Sequence, residues 1–217
     1  MFGFAIAAGI VARFLIVDRV LYEIWADRDL SRAEELFRRP VFTGAEFDRG
    51  GRTPGGFYYL LLRAYLLLGR SPTQVQLGTV ALDVVALVTL GAVMRRRLGW
   101  PAGLAGAAFH ACSPTVFGHL TFAAYNPTNA MPFGVLAHAF FLETLLGGRH
   151  GALPIAFFFV ALAAQIHLSY ALLLALFALV LTVQRVRIDR RAWAAALLAF
   201  TIPYVPYLVS DGLAARK

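Results

Sequence analysis

Apolar runs recur along the whole chain, separated by short polar or basic steps, and one long polar stretch interrupts them near the start. About 20 helical residues are needed to cross a hydrocarbon core roughly 30 Å thick. On that measure the pattern predicts about seven spans, at residues 2–22, 72–94, 101–124, 127–146, 152–166, 168–184 and 191–209. Residues 152–184 form one apolar run interrupted only at Gln165-Ile166-His167-Leu168-Ser169. As a single helix that run would be about 50 Å long, too long for one crossing, so the polar step is read as a break between two short spans. Ser71-Pro72 supplies an N-cap and a first helical residue for the second span, and Arg95-Arg96-Arg97 closes it. Ser113-Pro114 predicts a bend in the third span, and Pro203 and Pro206 bend the end of the last. The expected fold is an all-α polytopic membrane protein, a single module over residues 1–217.

The exception is residues 18–71, a long loop between the first two spans. Its first part, residues 18–56, holds eight of the chain's 12 acids: Asp18, Glu23, Asp27, Asp29, Glu34, Glu35, Glu46 and Asp48. Ser31-Arg32-Ala33-Glu34 fits a capping box and predicts a short helix from Ser31 to about Arg39, stopped by Pro40. The glycine-rich segment 46–56 predicts irregular backbone. Residues 57–68 (FYYLLLRAYLLL) are apolar, but as a helix they reach only about 18 Å. They are expected to lie in the interface with Tyr58, Tyr59 and Tyr65 at headgroup depth, a true crossing being the alternative.

Charge orients the spans. The chain is 59% apolar and 15% charged, with a mean hydropathy of +0.68, whereas soluble domains carry nearer a quarter charged residues. The net charge of +8 comes from arginines clustered between apolar runs, the pattern of membrane edges and not of a nucleic-acid footprint. Arg95 to Arg97, Arg149-His150 and the basic run 185–191 are two crossings apart, so they share one side. The positive-inside rule makes that side cytoplasmic. Met1 is then inside, and loop 18–71 is outside together with the breaks at 125–129 and 165–169. The expected location is a bacterial inner membrane with the loop periplasmic. Cys112 is the single cysteine, which excludes an intrachain disulfide and argues against a Cys-based metal site. No cofactor is expected, and no ligand spacing supports a divalent metal.

Charged residues inside spans carry two readings each. Arg13 either snorkels to the interface or faces an anionic ligand. Asp83, near the middle of the second span, is either functional or a structural partner of Arg13 or Arg63. His110, His119 and His138 are expected to hydrogen-bond neighbouring helices, and Glu143 to pair with Arg149.

The order of these features resembles a known family. Asp27-Arg28-Asp29 precedes the Ser31 helix, followed by Gly55-Gly56-Phe57-Tyr58-Tyr59, Arg95-Arg96-Arg97-Leu98-Gly99, Tyr125-Asn126-Pro127 and Gln165-Ile166-His167-Leu168-Ser169. Over essentially its whole length the chain is similar to the N-terminal module of GT-C glycosyltransferases. The nearest branch is the family 39 type, which includes dolichyl-phosphate-mannose-protein mannosyltransferases and bacterial aminoarabinose transferases. The resemblance implies an inverting transfer of sugar from a polyprenyl-phosphate donor to an acceptor hydroxyl or amine at the outer face of the bilayer. It puts the general base at Asp27, with Asp29 beside it as orienting group or alternative base. Arg28, Arg49, Arg52, Tyr58, Tyr59, Asn126, Asn129, Gln165 and His167 become the substrate-binding candidates. This chain has Asp-Arg-Asp where the family usually has Asp-Glu, and amides at Asn126 and Asn129 where many members carry a second outer-loop acid. Family members continue with further spans, so the chain reads as a truncated module. Two other readings stand beside this one. A transporter or channel subunit would use Asp83 and the histidines as a polar pathway, and a shortened relative would be non-catalytic.

Overall fold

The structure is a computed structural model that describes residues 2–19, 21, 24–46, 52–122 and 124–214. It is mostly helical. Helix α1 (Phe2–Leu15) leads through a 3-10 turn (Val17–Arg19) to α2 (Ile24–Glu35). A two-stranded antiparallel hairpin, β1 (Thr43–Glu46) and β2 (Arg52–Pro54), connects to α3 (Phe57–Tyr65). Then follow α4 (Pro72–Leu98), α5 (Trp100–Ala111), α6 (Pro114–Leu120), α7 (Asn126–Gly147) and α8 (Ala152–Ile166). A 3-10 turn (Leu168–Ala171) opens α9 (Leu172–Val183), and a second (Ile202–Tyr204) separates α10 (Arg190–Thr201) from α11 (Val205–Ala214).

Three helical segments are long and apolar enough to cross a membrane: Pro72–Leu98, Asn126–Gly147 and Arg190–Val209. Phe2–Leu15, Ala152–Ile166 and Leu168–Val183 are apolar but shorter, so seven full-length spans are not reached. The expected third span is broken instead of bent. Pro114 has no amide hydrogen to continue α5, and the chain restarts as α6. The second span begins as its sequence predicts. Ser71 Oγ accepts from Gln74 N at 3.2 Å while Gln74 Oε1 accepts from Ser71 N at 3.1 Å, a reciprocal cap on α4.

Packing sorts the helix ends into two groups. The C-termini of α4 and α7 meet where Glu143 accepts from Arg96 and from Arg97, the latter with Nε at 3.1 Å. This corrects the expected Glu143–Arg149 pair. The Arg97 guanidinium instead lies along Gly147, and Arg149 is left to the exposed turn beyond. Val186 and Ile188, in the α9–α10 connection, pack in one cluster with Leu145 and Leu153, and Trp193 meets Phe157 edge-on. The three basic clusters therefore occupy one end of the bundle. At the other end lie the break between α6 and α7 and the break after α8. There α3 packs over the start of α4, with the Tyr65 ring against Gly78.

Two expectations about the loop are corrected. Helix α2 starts at Ile24, so Ser31 is in its middle and not at its cap. The apolar stripe Ala26, Leu30 and Ala33 has helical spacing and is buried against α3, and this tertiary contact outweighs the local capping motif. Residues 57–65 do form a helix, but Tyr58 and Tyr59 have no exposed surface and Tyr65 is 6% exposed. The tyrosines face the core formed with α2, α7 and α8 and do not lie at headgroup depth.

Candidate functional site

The acids of α2 are divided between its two faces. Residues two apart on a helix point to opposite sides. Asp29 faces α3 and is 3% exposed, whereas Asp27 is exposed. Asp29 Oδ1 accepts from Tyr59 Oη at 3.3 Å and from Arg28 Nε at 3.1 Å. Arg32 Nη1 donates to Tyr59 Oη at 3.2 Å. The chain of contacts thus runs from Arg32 through Tyr59 to Asp29, with Arg28 on the same carboxylate. Burial, reinforced by the Asp29 charge, pushes the Tyr59 phenol above its ordinary range, and burial pushes Tyr58 higher still. Both hydroxyls therefore remain proton donors.

Tyr58 joins this region to the break before α7. Its hydroxyl donates to the carbonyl of Ala124. Ala124 has φ +51°, a left-handed conformation that costs a non-glycine residue on the order of 1 kcal/mol. The strained residue immediately precedes Tyr125, at the N-terminus of α7. Leu21, after α1, also pairs here, its amide donating to Thr121 O at 2.7 Å.

The hairpin and the start of α3 rest on the end of α8. Gln165 is buried, and its Oε1 accepts from Phe57 N at 3.2 Å. Its Nε2 and the Thr53 hydroxyl are buried without a hydrogen-bond partner among the described residues. Gly44 and Gly55 sit so close to Thr53 and Gln165 that a side chain at either would collide. His167 follows, half-buried, with Nδ1 2.6 Å from Ser169 Oγ. Burial, and secondarily the neighbouring His119, holds its imidazole below the ordinary range. His119 in turn stacks near Tyr125 at 6.1 Å between ring centroids.

The sequence-predicted residues are thus only partly brought together. Asp27, Arg28, Asp29, Tyr58 and Tyr59 share the α2–α3 layer, which reaches the α7 break through Tyr58 and the α8 break through Phe57. Asn126 is half-buried at the start of α7. Asn129 is fully buried and uses both ends of its amide inside the fold, accepting from Thr79 Oγ1 at 3.1 Å and donating to Tyr125 O at 2.9 Å. Arg49 lies outside the described residues, and the backbone of Arg52 belongs to β2. Sequence reasoning missed Arg32, Ala124 and the nearness of His119 to His167. Arg32 lies three residues after Asp29 and four after Arg28, a signal legible only once α2 is known to start before Ser31.

A second polar cluster lies inside the bundle. Arg13 and Asp83 have no exposed surface, and His110 is 8% exposed. Arg13 Nε donates to Asp83 Oδ2 at 2.7 Å, and His110 Nε2 lies 2.9 Å from Asp83 Oδ1. The remaining Arg13 donors reach Gly9 O at 3.0 Å, Ala111 O at 2.6 Å and His110 O at 3.0 Å. The last two are carbonyls at the C-terminus of α5, where His110 O also accepts from Ser113 N at 3.3 Å and Ala111 O is left free by the end of the helix for the arginine to cap. Of the alternatives for Asp83, the structure gives partnership with Arg13. Arg63 instead lies over the Phe37 ring at 5.7 Å. Among the described residues, no group of three or more His, Cys, Asp or Glu side chains could hold a metal ion. No protein-family model, curated protein or solved structure matches the chain.

Proposed function

We propose that this chain is the transmembrane module of a GT-C-type glycosyltransferase, similar to the family 39 branch, acting on a polyprenyl-phosphate-linked sugar. The observation that carries the reading is the convergence of the α2–hairpin–α3 layer on the two breaks at Ala124 and Gln165, at the end of the bundle away from the arginine clusters. Irregular backbone at membrane depth is tolerated where it lines a cavity, and in this reading the layer covers the substrate cavity between the two breaks. In this reading the chain makes about seven crossings, with α5 and α6 counted as one and α10 and α11 as the last. The roofed end faces the periplasm of a bacterial inner membrane.

The division of the acids then assigns roles. Asp27, on the exposed face, is the general base. It takes the proton of an acceptor hydroxyl as that oxygen attacks the anomeric carbon. The bond from the anomeric carbon to the phosphate oxygen breaks, and the phosphate leaves with the electron pair. Arg28 and His167 are the described candidates to meet that charge, beside the sequence candidates Arg49 and Arg52. Asp29 does not touch substrate in this scheme; it fixes Arg28 and Tyr59. The transport reading draws on Asp83 and His110, and Asp83 is held between Arg13 and the His110 ring.

The test is transfer of a labelled sugar from polyprenyl-phosphate by purified protein, wild type against Asp27→Asn. Loss of the base is expected to slow transfer by roughly 100-fold or more. Undiminished transfer by the variant removes Asp27 from the mechanism. Absence of transfer by the wild type across polyprenyl-phosphate sugars counts against the enzyme class itself.

A further inference from the structure

The arginines at the end of the bundle opposite the candidate site fall into two kinds. Arg96 and Arg97 are clamped on the buried carboxylate of Glu143, where they hold α4 to α7. Arg95, Arg149, Arg185, Arg187, Arg190 and Arg191 are exposed and form no ion pair among the described residues. Only two acids, Glu143 and Asp189, occur between residues 84 and 210. Asp189 is itself engaged as the N-cap of α10, accepting from Arg191 N at 2.6 Å. The six exposed arginines thus outnumber the one exposed acid of this end, Asp189.

Its setting is that of an interface. Arg95 stacks on Trp100 with its guanidinium carbon 3.7 Å from the ring centroid, and Trp100 is 56% exposed. Leu98, Leu146 and Val183, at the last turns of α4, α7 and α9, are exposed large apolar side chains. An indole with a cation over it, next to exposed leucines, matches the headgroup layer, where amphipathic rings and cations sit together. Arg190 and Arg191 carry a sharper signal. They occupy the first turn of α10, where the helix dipole disfavours cations. The helix dipole gains nothing from them there, whereas both are exposed and open to an external anion.

We infer that this end binds anionic phospholipid headgroups, with Arg187, Arg190 and Arg191 as the principal contacts and Arg149 and Arg185 flanking them. Val186 and Ile188 pack against the same apolar cluster as Leu145, which keeps the α9–α10 connection at the end of the bundle where the Arg149 turn lies. Arg185, at φ +52°, ends α9 in a left-handed turn that fixes the direction of the connection. The inference stands independently of the transferase reading, because it involves no residue of the candidate site.

The experiment is native mass spectrometry of the purified protein after exchange from nanodiscs of phosphatidylglycerol, cardiolipin or phosphatidylcholine. Wild type is expected to retain the two anionic lipids and to lose phosphatidylcholine. The triple variant Arg187→Gln/Arg190→Gln/Arg191→Gln is expected to bind anionic lipid on the order of 100-fold more weakly, since each cation near an anionic surface contributes about a factor of five. Arg70→Gln, at the opposite end, keeps wild-type retention. Should the triple variant fail to fold, wild-type retention of phosphatidylglycerol measured against ionic strength replaces it, and a steep loss with salt is expected. Equal retention of phosphatidylcholine, an unaffected triple variant, an equal loss with Arg70→Gln, salt-independent retention, or full competition by inorganic phosphate would each overturn the assignment.

Discussion

Arg13 and Asp83 form a fully buried ion pair, Nε to Oδ2 at 2.7 Å, across 70 residues of sequence. The pair is completed by His110 on the second carboxylate oxygen and by the α5 carbonyls on the guanidinium. Helix α1 otherwise buries only Gly9, which meets the Ala111 backbone. Ile6 and Ile10 pack against Leu87, Ala107 and Ala111, so the docking of α1 combines this polar clasp with apolar contact.

Removing one partner strands the other's charge. Arg13→Met and Asp83→Leu should each destabilise the protein by about 3–5 kcal/mol. The double variant should recover much of that loss but not all, because Ala111 O still loses its donor. A double-mutant cycle in thermal or denaturant unfolding measures the coupling. Additive single effects would mean that the two side chains do not act as a pair.

Glu143 makes the corresponding clasp at the basic end. Its side chain is 3% exposed and holds both Arg96 and Arg97. Glu143→Gln should loosen the α4–α7 contact and lower stability by about 1–3 kcal/mol, while Arg149→Gln, which the pair does not involve, should stay within about 0.5 kcal/mol of wild type. Unfolding of the two variants side by side checks this, and equal losses would contradict the observed partners.

What the sequence made legible was local. The α4 cap was readable because Ser71 and Pro72 are neighbours with a mechanism of their own, whereas the part of Gln74 emerged only from the structure. The break at Gln165 to Ser169 was readable because an apolar run of that length cannot be one crossing. The Glu143 clasp was not, and the Arg13–Asp83 pair was legible only as one of several alternatives, since each needs the relative register of helices far apart in the chain. The start of α2 was misread because Ser31 to Glu34 satisfies a local motif, whereas Ala26, Leu30 and Ala33 act only through a partner helix. The tyrosines of α3 gave no means of choosing, because an amphipathic ring has the same sequence signature at a headgroup and in a core. In the candidate site, Asp27-Arg28-Asp29 was legible as a cluster, but the separation of the two acids followed only from knowing which face of α2 meets α3.

His167 makes stability depend on pH in a definite direction. Its folded-state pKa is depressed below the ordinary 6.5, chiefly by burial and then by His119. The unfolded chain therefore binds the proton more readily. The contribution of His167 to stability is complete above about pH 6.5 and is lost as pH falls through the lower, folded-state value. His167→Gln should flatten this part of the stability profile, and His119→Gln should move the His167 titration upward. Imidazole titration by NMR follows both. A His167 that titrates at or above the ordinary value would refute the assigned surroundings.

The two acids of α2 should separate in experiment as they do in space. Asp29 receives donors from Tyr59 and Arg28 inside the α2–α3 layer, so Asp29→Asn should cost about 1–3 kcal/mol of stability. Tyr59→Phe, which removes a donor to Asp29 and the acceptor of Arg32, should cost a similar amount. Asp27→Asn changes an exposed side chain and should leave unfolding within about 0.5 kcal/mol of wild type. Under the transferase reading the order inverts for turnover. Asp27→Asn loses transfer at unchanged stability and at every pH, whereas Tyr59→Phe keeps the base and retains part of the rate. Measuring stability and sugar transfer on all three variants distinguishes a base from a residue that positions one. If Asp29→Asn kept full stability but lost transfer, and Asp27→Asn lost neither, Asp29 and not Asp27 would be the residue that takes the proton.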